Sequence, residues 1–208
     1  GLVVVPMLYL LTDAFAKKLC AFAQNGGAVI VTYWSGVVDE SDLCRLGDTP
    51  YGLTELLGLR RTEIDGMYDG ETRRCMPVAG CTLPAAQAST LCEVAALNEK
   101  DPAEPLSLYD EDYFAGHPAV AVHRYGKGRA YYLASRFDEA FYRAFYHDAA
   151  KEIGLSPAWP EALPEGVLAV RRGSFVFVQN CTEQPATVGN TVLDRYRTAV
   201  WKGKDRIF

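Results

Sequence analysis

The chain has 208 residues, a formal net charge of −5, 49% hydrophobic residues and 23% charged residues. That balance suits a globular protein with one large domain, or a medium domain and a small one, and no need of a metal or disulfide staple. The acidic balance speaks against a general nucleic-acid binder, which needs clustered Lys and Arg, and no apolar run reaches the roughly 18 residues of a membrane span.

Leu2 to Met7 is a continuous apolar run, the pattern of a strand covered on both faces. Thr12 is placed to cap a helix, with Asp13 in its first turn and Phe15, Leu19 and Phe22 at helical spacing. Asn25-Gly26-Gly27 ends that helix, and Ala28 to Tyr33 is a second apolar run. Strand, helix, strand at this spacing predicts a βαβ unit and hence a parallel sheet. Trp34 to Thr49 is loop-like, and Leu53 to Leu57 is a short helix closed by Gly58. Arg60 to Met76 alternates charge without a clear period, Leu91 to Leu97 is apolar but ambiguous, and Asn98 to Pro105 is a loop.

The hairpin is plainer. Pro118 to Tyr125 runs apolar and β-branched, Gly126-Lys127-Gly128 turns, and Arg129 to Ala134 returns. Asp138 opens an amphipathic helix reaching about Ile153, with Phe141, Phe145 and Ala149 on one face and Gly154 at its end. Three prolines between Ser156 and Pro164 mark a linker. Val167 to Arg171, Ser174 to Gln179 and Ala199 to Trp201 are short strands, with turns at Gly173, Asn180 and Gly203. This tail predicts a small antiparallel unit.

Six scattered cysteines, with no C-x-x-C and no histidine at zinc-finger spacing, fit reduced, mostly buried thiols in a cytoplasm. No metal or cofactor is expected. Gly1 to Leu11 lacks a basic lead-in, so it is not expected to be a signal peptide. Asn180-Cys181-Thr182 matches a glycosylation sequon, a weak three-residue match. The basic pairs and runs at Arg171-Arg172 and Lys202 to Arg206 fit a solvated face.

Several segments resemble glycoside hydrolase family 42 β-galactosidases, in the same order along the chain. They are Val5 to Thr12, Thr32 to Glu40, Asp42-Leu43-Cys44, Leu46-Gly47, Leu56-Leu57-Gly58, Asp112 to Gly116, Pro118-Ala119-Val120 and Tyr125 to Tyr132. The resemblance implies a parent with a catalytic barrel, a middle domain that mediates trimer formation, and a small β domain. It implies that residues 1–155 are the middle domain without its first strand and helix. That domain would be flavodoxin-like, close in fold to class I glutamine amidotransferases, with a parallel sheet and helices on both faces. Residues 164–208 would be the small all-β domain. The parent would cleave terminal β-D-galactosides with retention, as a cytoplasmic homotrimer. Retaining glycosidases need two carboxyl groups about 5–5.5 Å apart, supplied by barrel strands. The barrel is absent from these residues, so no catalytic residue carries over.

Tyr33-Trp34-Ser35, with the loop on to Asp39 and Glu40, is the candidate interface or cleft rim. It lies past the C-terminal end of a parallel strand, where α/β folds place ligands, and aromatic residues with few charges suit an interface core. A packing aromatic is the plainer alternative. Asp39-Glu40 and Asp110-Glu111-Asp112 are paired carboxylates better suited to capping or solvated roles. A second function class is a stand-alone amidotransferase-like enzyme or small-ligand binder, which would need a cysteine on a glycine-flanked elbow with a histidine in reach. No cysteine here has that setting. A third is a carbohydrate-binding tail using Trp201, Phe175 and Phe177.

Overall fold

The computed structural model describes residues 1–203, 205 and 206. Contacts divide the chain into two compact units, Gly1–Ile153 and Gly154–Phe208.

The first unit opens with β1 (Leu2–Val5), α1 (Asp13–Gln24) and β2 (Ala28–Thr32). The Thr12 side chain accepts the Phe15 N–H and fixes the start of α1. Ala16, Leu19 and Ala23 form its buried stripe, while Phe15 turns outward. All five residues of β2 are buried, as a strand covered on both faces requires. α2 (Thr54–Leu57) ends at Gly58, whose positive φ of 64° turns the chain into β3 (Leu59–Gly66). Then come β4 (Arg73–Pro77), β5 (Ala86–Leu97), β6 (Glu104–Tyr109), β7 (Pro118–Tyr125), β8 (Gly128–Leu133) and β9 (Ser135–Arg136). α3 (Glu139–Glu152) is capped by Asp138 and buries Phe141, Phe145 and Ala149, the stripe expected from their spacing.

These strands form one nine-stranded mixed sheet in the order β1-β2-β8-β7-β6-β4-β5-β3, with β9 paired to β5. β1 pairs parallel to β2, and β2 parallel to β8. Every other pairing described in the sheet is antiparallel. This overturns the expected flavodoxin-like, amidotransferase-like parallel sheet with helices on both faces. The reason lies between residues 59 and 109. That stretch holds four antiparallel strands and no helix, where a doubly wound fold would need crossover helices. Its charge alternation is the signature of half-solvated strands: in β3, Leu59 and Arg61 are buried while Arg60, Thr62, Glu63 and Ile64 are exposed. The loop expected over Asn98 to Pro105 also gives way at its end to β6.

The sheet curls. β9 follows directly on β8 and pairs with β5 through Cys92 and Ser135, and the Glu93 N–H donates to the Ala134 carbonyl at 2.8 Å. The middle of β5 is thereby brought beside the end of β8. On β8, Tyr131 meets Phe145 of α3 edge-to-face, and neighbouring Tyr132 points to the opposite face, toward β5.

In the second unit, β10 (Val167–Arg172), β11 (Phe175–Asn180), β14 (Thr198–Lys202) and β15 (Asp205–Arg206) form an antiparallel sheet, and β12 (Ala186–Val188) pairs with β13 (Thr191–Leu193). Its own core is Val167, Val176, Val178, Val188, Leu193, Ala199 and Trp201, with Trp159 edge-on to Trp201. Asn180 of the sequon is buried, and its amide nitrogen donates to the carbonyls of Gln184, Leu193 and Asp194. It is a structural tie, not an exposed acceptor. Arg171, Arg172 and Lys202 are exposed; Lys204 of the basic run lies outside the described residues. No helix among the described residues is long and apolar enough to cross a membrane.

Candidate functional site

β1 and β2 run side by side and end at the same edge of the first unit. Each then makes a corner at a positive φ, at Met7 (45°) and Trp34 (56°). Such a backbone is uncommon for large side chains and must be held by its surroundings. The two corners are laced together. The Met7 N–H donates to the Thr32 hydroxyl at 2.8 Å, and the Leu8 N–H to the Ser35 hydroxyl at 3.1 Å. The Gly36 N–H returns to the Leu8 carbonyl, and the Val37 N–H to the Tyr9 carbonyl. Gly36 has φ +62°, and a Cβ there would stand 2.9 Å from the Tyr51 nitrogen, so the close passage of the loop needs glycine.

The result is a ledge of exposed apolar side chains: Met7, Tyr9, Leu10 and Trp34, with Leu43 and Leu46 in the loop that follows. Tyr9 and Trp34 stand with ring centroids 6.4 Å apart. Tyr33 and Ser35, on either side of Trp34, are buried. The three neighbours therefore divide: two anchor and one projects, 38% exposed. Asp39 is a turn residue, its Oδ1 accepting the N–H groups of Ser41 and Leu43, and these bonds hold its carboxyl below the usual value. Glu40 is exposed and lies 3.5 Å from Arg45. Arg45 also pairs with Asp13 at 3.0 Å and lies over the Tyr51 ring, which ties the loop to α1.

Beneath Trp34 sits a polar cluster that the sequence did not announce. Glu93 of β5 is fully buried and pairs with buried Arg61 of β3 at 2.7 Å. The Trp34 N–H donates to Glu93 Oε1 at 2.9 Å, and the Tyr132 hydroxyl donates to Oε2. Arg61 Nη1 also donates to the Ser35 carbonyl at 3.2 Å. Both carboxylate oxygens accept, which is the arrangement of an ionised acid beside a guanidinium. Burial pushes the Glu93 carboxyl up from its ordinary value, and the Arg61 charge and the donors act against that rise. Burial, then Glu93 itself, holds the Tyr132 phenol well above its usual range. One signal could have been seen: Glu93 is the lone charge inside the apolar run Leu91 to Leu97.

The other candidates take structural places. Arg74 Nε donates to Asp110 at 2.8 Å and the Arg74 N–H to Glu111; Arg73 Nε donates to Asp112 at 2.8 Å. These carboxylates are engaged by arginines at an exposed strand end. Burial pushes Cys75 up to about 12 and Cys92 up to about 11, so both stay protonated thiols and poor nucleophiles. No hydrogen bond joins a cysteine to a histidine among the described residues: His117 and His123 bond through Nδ1 to the carbonyls of Ala95 and Leu56. The left-handed strand-end corner exists, but Trp34 occupies it. In the second unit Trp201 is core, while Phe175 and Phe177 lie exposed on the outer face of the sheet.

A family described as β-galactosidase trimerisation domain matches residues 1–156. The chain belongs to this family. The similar proteins of known kind are β-galactosidases. A β-galactosidase of Alicyclobacillus acidocaldarius is 43% identical over 194 residues, which is 90% of this chain and 28% of that protein. One from Clostridium perfringens is 35% identical over 92% of this chain and 28% of its own length. Among solved structures, the cold-adapted β-galactosidase of Rahnella sp. superposes with a TM-score of 0.82 at 38% identity, over 96% of this chain and 32% of that one. A GH42 β-galactosidase from G. stearothermophilus gives 0.79 at 29% identity, over 96% and 31%. The resemblance to glycoside hydrolase family 42 is borne out, and this trimerisation-domain chain spans less than a third of the length of these relatives.

Proposed function

We propose that this chain is the non-catalytic, self-associating part of a β-galactosidase, and that the strand-end ledge around Trp34 is a contact surface between copies. The parent hydrolyses terminal β-D-galactosides with retention, in the cytoplasm, as a homotrimer. Residues 1–155 are the trimerisation domain and residues 164–208 a small β domain without a catalytic role. The galactoside meets carboxylates of the parent outside these 208 residues; within them the prominent acid clusters are engaged by arginines or turns.

One observation carries this reading. In a chain of a trimerisation family, Met7, Tyr9, Leu10 and Trp34 stand exposed at two hydrogen-bonded strand-end corners, with the indole set out from two buried neighbours. Aromatic anchors on a preorganised surface are the groups that dominate association.

Two measurements test it. The purified chain should release no nitrophenol from nitrophenyl β-galactoside above a buffer control; measurable turnover refutes the non-catalytic reading. In sedimentation equilibrium the chain should self-associate, and Trp34→Gly should weaken that association by about tenfold or more, the scale of a buried aromatic anchor. Glycine accepts the positive φ, so the fold should survive. Unchanged association in the Trp34→Gly protein overturns the ledge as the contact.

A further inference from the structure

We infer that Glu93 and Arg61 are positioning residues for the ledge: the buried pair holds the backbone on both sides of Trp34 and so aims its indole at the partner copy. The inference deepens the proposed contact and rests on that reading for its consequence, although its geometry stands alone.

The atoms make the case. Glu93 Oε1 accepts the Trp34 N–H at 2.9 Å. Arg61 Nη1 reaches the Ser35 carbonyl at 3.2 Å and the same Oε1 at 2.7 Å. The Trp34 N–H and, one residue on, the Ser35 carbonyl thus bond to one ion pair, itself locked by the Tyr132 hydroxyl on Oε2. Trp34 has a φ of 56° and cannot hold that corner cheaply without such contacts. The three holding residues come from β3, β5 and β8, so the corner is set by the curl of the whole sheet. An ion pair with side chains 4% and 0% exposed is a poor choice for stability alone, because apolar residues of similar volume often do as well. What apolar residues cannot do is hold the Trp34 N–H and the Ser35 carbonyl.

The test uses the full chain in five forms: wild type, Trp34→Gly, Glu93→Gln, the two combined, and the apolar pair Arg61→Met with Glu93→Leu. Two quantities are read. Acrylamide quenching of Trp34, taken as the difference from the Trp34→Gly protein in dilute monomer, reports the indole's position. Sedimentation equilibrium reports association. Glu93→Gln and the apolar pair should each raise Trp34 quenching about twofold and weaken association about tenfold, with Glu93→Gln giving no further loss on top of Trp34→Gly. The apolar pair guards against misfolding, since it leaves no buried charge. Unchanged quenching in both would overturn the positioning role. So would an equal loss of association from Glu93→Gln with and without Trp34. Raised quenching with unchanged association would keep the positioning role and refute the ledge as the contact.

Discussion

Two regions of the large sheet solve the problem of exposure differently. At the parallel end, β1, β2 and β8 are nearly all apolar, and what emerges past β1 and β2 is a ledge of Met7, Tyr9, Leu10 and Trp34 fixed by buried polar groups. In the antiparallel region, β4 and the 110–112 turn present charges already matched, Arg73 with Asp112 and Arg74 with Asp110, beside exposed Met76 and Tyr113. A surface with matched charges is content in water, whereas rigid apolar side chains gain by being covered. Buried charge here serves an exposed apolar surface by holding its backbone, while the exposed charge pairs solvate theirs.

The largest expected effect lies under the ledge. Glu93→Ala leaves the Arg61 charge buried without its counter-ion and should cost about 3–5 kcal/mol in urea unfolding, whereas the paired apolar replacement should cost less, since it strands no charge and only the Trp34 N–H, the Ser35 carbonyl and the Tyr132 hydroxyl lose partners. A loss as small as that of a surface pair would erase the contrast. Next, Gly36→Ala should cost about 1–2 kcal/mol, because an L side chain resists φ +62° and the Cβ would crowd the Tyr51 nitrogen. In the antiparallel region Arg74→Ala should cost under about 1 kcal/mol, its partner being half exposed, and salt should shrink even that.

The smallest effect is a pH dependence at Asp39. Its folded pKa is depressed by the Ser41 and Leu43 N–H groups. A depressed carboxylate contributes stability above the unfolded pKa of about 4 and loses it as pH falls through the folded value. The melting advantage of wild type over Asp39→Ala should therefore be level at neutral pH and shrink in acid. An advantage that grows on acidification would reverse the assignment.

The sequence was legible where local chemistry decides. Thr12 and Asp138 cap the helices they were expected to cap, and Gly126-Lys127-Gly128 turns the hairpin. It was least legible from Leu59 to Tyr109, where half-solvated antiparallel strands carry mixed charges, and β5 is apolar over Leu91–Cys92 and Val94–Leu97 without alternation. Pairing there is set by partners far along the chain, and the expected doubly wound sheet failed for that reason. Trp34 could be singled out from its place past a parallel strand. Arg61 and Tyr132 could not, since they reach Glu93 only after the sheet curls.

The comparison itself can be measured by amide hydrogen exchange at low and high protein concentration. Residues 7–10 and 34–46 should gain protection on concentration, with residues 68–77 and 104–117 unchanged. Protection appearing in the charge-matched antiparallel region, with the ledge exchanging as fast in concentrated as in dilute solution, would contradict the ledge as the contact.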